Sequence, residues 1–150
     1  MKTLVYCILF WVISINASAR PTLKNFTHGS YEQVVKKYQQ QPFVLVLWSL
    51  DCPPCYKELE LLAAERTKNN FNLVLVSIDG ADASSEVSDV LKKYNLQNVD
   101  SWLFNEHSSQ QLRYEIDPLW YGELPRSYLF DIQHHRQAIS GVLNTSQLPK

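Results

Sequence analysis

The sequence predicts an α/β fold with a mixed central sheet, and three observations support this prediction. Two apolar, β-prone runs, PFVLVLW at 42–48 and NFNLVLVSID at 70–79, each precede a segment with helical periodicity. The alternation of buried strands with helices indicates a parallel sheet with right-handed crossovers. RSYLFD and QAISGV then flank the polar stretch IQHHR, a pattern typical of two antiparallel strands. The sheet should therefore contain both strand directions.

The first helix is predicted to begin at Ser30, which can cap it, while Gln33 completes a capping box. One face of this helix is apolar and consists of Tyr31, Val34, Val35 and Tyr38. This face should pack on the sheet.

Two further helices are expected, the second from Cys52 or Pro53 to about Lys68 and the third over 82–95. Their apolar stripes consist of Cys55, Leu59, Leu62 and Ala63 in the second and Val87, Val90, Leu91 and Tyr94 in the third. The stretch VDSWLF at 99–104 is either a short strand or a loop that leads to the segment around Leu112 and Ile116.

The length of 150 residues suits one domain. Residues 1–19 combine Lys2, an apolar run over 4–15 and small residues at Ala17 and Ala19, which indicates a secretory signal peptide. That run is shorter than the ~20 residues of a membrane-spanning helix, although an uncleaved anchor is an alternative. We expect one globular domain over 20–150, in the periplasm or otherwise secreted. The net charge of -1, without a long basic run, argues against nucleic-acid binding.

Cys52 and Cys55 are the two cysteines that remain when the signal peptide, with Cys7, is removed. Structural disulfides usually close longer loops, so the two-residue spacer favours thiol–disulfide exchange. A strand that ends at Trp48 and a helix that begins near Cys52 place the first sulfur at a helix N-terminus, which stabilises a thiolate. Cys52 is therefore the predicted nucleophile and Cys55 the resolving thiol.

Three neighbours are expected to limit the acidity of Cys52. Asp51 places a negative charge beside the sulfur, and Pro53 and Pro54 have no N–H groups to donate. A less stabilised thiolate corresponds to a more negative reduction potential. These residues therefore predict a reductant.

The segment WSLDCPPC, with Trp48 four residues before Cys52, resembles the active site of the thioredoxin superfamily. The segment GELPRSYLFD resembles the second signature of that superfamily, a cis-proline followed by a strand. The resemblance implies a thioredoxin-like three-layer α/β/α sandwich, in which Pro125 is the cis-proline. Leu124 and Pro125 would line the substrate groove.

Within the superfamily, the chain is similar over about 26–142 to the bacterial secreted TlpA/ResA-like thiol-disulfide oxidoreductases. They share C-x-x-C-x-x-E and P-x-x-x-x-x-D, which Glu58 and Asp131 match. The resemblance implies that Glu58 is a partly buried carboxylate that tunes or relays protons for the cysteines. It also implies a membrane thiol-disulfide electron donor, no cofactor beyond the disulfide, and service in cytochrome c maturation as one option.

The chain departs from the family pattern at several positions. Val46 replaces a buried aspartate of thioredoxin, and Asp51 replaces a tryptophan. An N-terminal hairpin is not evident, and LNTSQLPK is too short for the usual C-terminal helix, so one sheet face is either thinly covered or meets a partner. The segment 117–123 is longer than usual, which makes Trp120 and Tyr121 candidates for substrate contact.

The resulting prediction is a monomeric reductase of protein disulfides. The alternatives are an oxidant or isomerase of protein disulfides, a metal- or haem-delivery chaperone with the same fold, and an adaptor that docks through its sheet. A zinc site would need about four ligands, and no further cysteine or closely spaced histidine pair supplies them. His134 and His135 are expected in an exposed hairpin turn rather than as ligands.

Overall fold

The computed structural model describes residues 23–105 and 109–149, so the predicted signal peptide at 1–19 lies outside the described residues. The described strands are β1 (Lys24–Phe26), β2 (Phe43–Trp48), β3 (Asn72–Ser77), β4 (Asp100–Phe104), β5 (Arg126–Phe130) and β6 (Arg136–Ser140). The described helices are α1 (Ser30–Lys37), α2 (Pro53–Lys68), α3 (Ser84–Lys93) and α4 (Ser109–Ile116).

The strands form one mixed sheet in the order β1-β4-β3-β2-β5-β6. The first four strands of this order are parallel, whereas β5 pairs antiparallel with both β2 and β6. The predicted mixed sheet is confirmed, and residues 100–104 form a strand rather than a loop. Strand β1 was not predicted, because its three residues are too few to show a period.

The central strand β2 is buried along its whole length because helices cover both faces of the sheet. Alternate side chains point to opposite faces. Val44, Val46 and Trp48 pack in a core with α2 and α3. Phe43, Leu45 and Leu47 pack in a second core with α1 and α4. The three-layer α/β/α arrangement is thereby confirmed.

The apolar stripes of the first three helices are confirmed, since Val34, Leu59 and Leu91 and their neighbours on each stripe pack in the two cores. The predicted cap of α1 is wrong. Gly29 is the N-cap, at φ 77° and without a capping side chain. Ser30 is buried instead, and its hydroxyl accepts a hydrogen bond from the Thr27 N–H at 2.9 Å.

The C-terminal segment contains a single-turn 3-10 helix at Thr145–Gln147 rather than a long helix. It covers the sheet through Leu143 and Leu148, which are buried against the core of α2 and α3.

The β5–β6 turn contains His134 and His135, as predicted, but His134 is not fully exposed. Its Nε2 lies 2.8 Å from the Tyr38 carbonyl oxygen, so the turn is tied to the end of α1.

Candidate active site

Cys52 and Cys55 lie where β2 passes into α2. Cys52 is the N-cap of α2, and the two sulfurs form a disulfide. Cys52 is 7% exposed and Cys55 is fully buried. The predicted start of the helix is confirmed, and Cys52 is the more exposed of the two cysteines.

The Cys52 sulfur accepts a hydrogen bond from the Cys55 N–H at 3.2 Å. The same N–H lies 2.9 Å from the Cys52 carbonyl oxygen, so the donor is shared. Pro53 and Pro54 occupy the first two positions of the helix, where other residues would present free N–H groups. Asp51, the residue that precedes Cys52, is exposed. The helix N-terminus therefore offers the sulfur few donors.

Asp79 holds the loop before Cys52, a role that the sequence analysis missed. Its carboxylate accepts hydrogen bonds from the Ser49 hydroxyl at 2.9 Å and from the Leu50 N–H at 3.1 Å. The Ser77 hydroxyl donates to it at 2.6 Å, which anchors it to the end of β3. The available signal was its position after β3, because neighbouring parallel strands end at the same edge of a sheet.

Glu58 lies one helical turn after Cys55 on α2 and is completely buried. One carboxylate oxygen accepts from the Leu143 N–H at 2.7 Å and the other from the Ser127 hydroxyl at 3.3 Å. Burial raises the pKa of Glu58 above its usual value, although both hydrogen bonds oppose this rise. The buried carboxyl of Glu58 therefore favours its protonated form more than an exposed glutamate does.

The Leu124–Pro125 peptide bond is cis and leads directly into β5. Arg126 is paired with Leu47 across β2 and β5, so Pro125 lies at the sheet edge where β2 ends and the cysteine loop begins. Leu124 packs against both cores, including the one that contains the cysteines. The structure thus places Leu124 and Pro125 at the same edge as Cys52.

The structure separates the two aromatic residues that were predicted to contact substrate. Trp120 is 6% exposed, and its indole N–H donates to the Glu123 carbonyl oxygen at 2.8 Å. Tyr121 is 92% exposed. Trp120 anchors its loop from inside the core, whereas Tyr121 presents its ring to solvent.

Asp131 lies at the opposite end of β5 from Pro125. Its carboxylate accepts from the His135 N–H at 2.8 Å, within the β5–β6 turn. The structure therefore gives Asp131 a role in the turn and does not bring it to the dithiol.

Other kinds of site are absent from residues 23–105 and 109–149. In these residues, no three histidine, cysteine, aspartate or glutamate side chains are grouped so that they could hold a metal ion. No helix among the same residues has the length and hydropathy needed to cross a bilayer.

Solved structures share this fold at low sequence identity. A secreted Mycobacterium tuberculosis disulfide oxidoreductase, homologous to E. coli DsbE, is 19% identical with a TM-score of 0.58 over 75% of this chain and 80% of that one. StoA from Bacillus subtilis is 22% identical with a TM-score of 0.53 over 73% and 80% of the two chains. A thiol:disulfide interchange protein of the thioredoxin family from Chlorobium tepidum is 14% identical with a TM-score of 0.58 over 75% and 77%. No curated protein matches the chain.

These likenesses show a thioredoxin-like fold, and the Cys52–Cys55 disulfide lies at the start of its helix α2. A family model described as AhpC/TSA matches residues 17–142. The chain therefore belongs to the AhpC/TSA family, within the thioredoxin superfamily that the sequence motifs indicated.

Proposed function

We propose that the protein is a secreted, periplasmic reductase of protein disulfides. The observation that carries the proposal is the pairing of Cys52, at a helix N-terminus and 7% exposed, with a fully buried Cys55. Attack on an incoming disulfide needs a thiolate that the substrate can reach, and release of the adduct needs a protected neighbour. The difference in exposure between the two cysteines supports this division of roles.

In the proposed reaction, the Cys52 thiolate attacks one sulfur of a substrate disulfide. A Cys52–substrate disulfide forms, and the other substrate sulfur leaves as a thiolate. The Cys55 thiolate then attacks the Cys52 sulfur and releases the second substrate thiolate. Two electrons pass to the substrate, whose thiolates take up two protons, and the Cys52–Cys55 disulfide forms.

Glu58 is proposed to manage the proton of Cys55. The two residues are one turn apart on α2, a spacing at which side chains of a helix are neighbours. A carboxyl group with a raised pKa can accept a proton from a thiol at neutral pH more readily than an exposed glutamate can. Its bonds to Leu143 and Ser127 hold it in one orientation.

The proposed direction, reduction of substrates, rests on how weakly the Cys52 thiolate is stabilised. Pro53 and Pro54 provide no N–H donors, and the Cys55 N–H is shared with a backbone carbonyl. For a two-electron couple, each 1.4 kcal/mol of lost thiolate stabilisation lowers the potential by about 30 mV. A membrane thiol-disulfide protein is the proposed electron donor.

The test combines trapping with a redox titration. Cys55→Ser should accumulate a mixed disulfide with an oxidised protein substrate, and Cys52→Ser should not. The wild-type protein should reduce insulin disulfides, with a potential well below the ~-120 mV of a strong folding oxidant. Absence of any trapped adduct, together with ordinary alkylation rates for both thiols, would refute the reductase and any other exchange activity.

Two of the alternative functions predict different results. A potential near that of a folding oxidant would support an oxidant or isomerase of protein disulfides. Copurified metal or haem, bound through the thiols and without insulin reduction, would support a delivery chaperone. Service in cytochrome c maturation is a narrower proposal, which requires that a reduced apocytochrome be a product.

A further inference from the structure

The loop between α4 and β5 exposes two large apolar side chains on either side of a buried one. Leu119 is 76% exposed and Tyr121 is 92% exposed, whereas Trp120 between them is buried. Isolated exposed apolar residues are ordinary, but two of them in the loop that leads to the cis peptide bond at Leu124–Pro125 indicate a contact surface. We call these two side chains the Leu119–Tyr121 surface.

The loop is held from below by Trp120. Its indole ring packs in the core with α1 and α4, and its N–H donates to the Glu123 carbonyl oxygen at 2.8 Å. The Arg113 guanidinium lies 5.7 Å from the centre of the same ring. Because Trp120 points inward, the side chains on both sides of it are directed away from the core.

Asp117 ties the start of the loop to the strand that follows it. One carboxylate oxygen accepts from the Leu119 N–H at 3.1 Å. The other accepts from the Arg126 guanidinium at 2.9 Å and from the Tyr128 hydroxyl at 3.0 Å. Asp117 is 5% exposed, so these bonds are shielded from water. The loop is thus fixed to β5 at both ends.

The loop enters β5 through Leu124 and Pro125, at the sheet edge where β2 ends and Cys52 follows. Tyr121 is four residues from Pro125, so an extended polypeptide that passes the cis-proline can reach it. A surface that is rigid before binding loses little conformational entropy when a partner docks. Both side chains offer apolar area, and Tyr121 adds a hydroxyl at its rim.

We propose that the Leu119–Tyr121 surface recognises a bulky apolar side chain beside the disulfide of an extended polypeptide substrate. Leu119 and Tyr121 determine specificity, and Asp117 is a positioning residue that sets the loop. This inference rests on the proposed function and names the substrate class of the same site. It replaces Trp120 by Leu119 as a contact residue, because Trp120 is buried.

The experiment uses two cyclic peptide disulfides that differ in having leucine or serine beside each cysteine. The pre-reduced protein is mixed with each peptide, and half-saturation concentration and limiting rate constant are measured. The limiting rate constant divided by the half-saturation concentration should be about fivefold to tenfold higher for the leucine peptide than for the serine peptide in the wild-type protein. The double variant Leu119→Ser/Tyr121→Ser should lose this preference through a higher half-saturation concentration, with the limiting rate unchanged.

Two controls make the result specific. Bis(2-hydroxyethyl) disulfide, which has no side chain to be recognised, should react equally with the wild-type and double-variant proteins. Ile132→Ser removes another exposed apolar residue, 56% exposed in the β5–β6 turn, and should keep the preference. Asp117→Asn should raise the half-saturation concentration for the leucine peptide more than for the serine peptide, and an equal rise for both peptides would overturn its positioning role.

The outcomes are distinguishable. A wild-type protein that reduces the small disulfide but does not prefer the leucine peptide overturns this inference and leaves the proposed function standing. The same holds if the double variant keeps the preference, or if Ile132→Ser loses it equally. A wild-type protein that reacts with neither peptide nor the small disulfide refutes the proposed function and this inference with it.

Discussion

Replacement of Glu58 by alanine or by glutamine gives opposite predictions for stability. Glu58→Ala removes the acceptor of the buried Leu143 N–H and of the Ser127 hydroxyl. A buried donor without a partner costs about 1–3 kcal/mol, and the one methylene that is lost removes about 0.8 kcal/mol of burial. The serine hydroxyl can rotate to another acceptor, so the Leu143 N–H dominates. We expect Glu58→Ala to lower the free energy of unfolding by about 2–4 kcal/mol.

Glu58→Gln retains both hydrogen bonds, since its carbonyl oxygen can accept from Leu143 and its amide can donate to Ser127. It also removes a carboxylate that burial disfavours. Because the pKa of Glu58 is raised in the folded state, the folded protein holds this proton more tightly than the unfolded chain does. The stabilisation from Glu58 is therefore full below the unfolded pKa of about 4.3 and is lost as pH rises through the folded pKa.

The assay is urea unfolding of the oxidised protein, followed by tryptophan fluorescence from pH 4 to pH 9. Glu58→Gln should gain stability over the wild type as pH rises, and the difference should level off above the folded pKa of Glu58. Near pH 4, where Glu58 of the wild type is protonated, Glu58→Ala should be the least stable of the three proteins. A pH-independent difference between wild type and Glu58→Gln, or an alanine variant within about 0.5 kcal/mol of wild type at pH 4, would refute the reasoning.

Three further predictions concern other parts of the structure. Asp79→Ala removes the acceptor of Ser49 and Leu50, so we expect about tenfold slower insulin reduction with an unchanged fold by circular dichroism. Burial raises the pKa of Asp100, but hydrogen bonds from Lys24 and Lys37 outweigh this effect and lower the pKa below its usual value. The stability that these bonds provide is therefore present above about pH 4 and is lost as pH falls through the lowered pKa. Asp100→Asn should therefore lower the free energy of unfolding by about 1 kcal/mol at pH 7 and by less near pH 2, as measured by thermal unfolding. Trp120→Ala should lower the free energy of unfolding by about 3–5 kcal/mol, as measured by urea unfolding.

Each of these predictions has an opposing outcome. Wild-type turnover in Asp79→Ala would mean that the loop before Cys52 keeps its position without the carboxylate. A loss of stability in Asp100→Asn that grows toward low pH would contradict the direction of the Asp100 pKa shift. A decrease of less than about 1 kcal/mol in the free energy of unfolding of Trp120→Ala would mean that the loop before Pro125 does not depend on Trp120.

Local patterns in the chain were sufficient for most of the fold. The run at β2 predicted a strand covered on both faces, and the stripe through Leu59 and Leu62 predicted a buried helix face. Both follow from short-range periodicity, which is visible without knowledge of partners. The cap of α1 was mispredicted because Ser30 bonds backward to Thr27 and Gly29 takes the N-cap position, a choice made by local backbone conformation.

The candidate site was predicted unevenly. The cysteine pair and its order were visible in the spacing and in the proximity of a strand and a helix. Asp79 was missed because its partners Ser49 and Leu50 are about thirty residues away in sequence, and β2–β3 pairing brings them together. Trp120 and Tyr121 were indistinguishable as adjacent aromatics, yet one is buried and the other exposed.

By itself, the sequence determined the strand and helix pattern, the two thiols and their order along the chain, because these depend on neighbouring residues and on hydrophobic period. The tertiary structure decided which distant groups meet. It buried Glu58 under Leu143 and Ser127, and it locked the loop before Pro125 through Asp117. These contacts join segments far apart in the chain, and they form only when packing of the two cores repays the entropy of closing the loops between them.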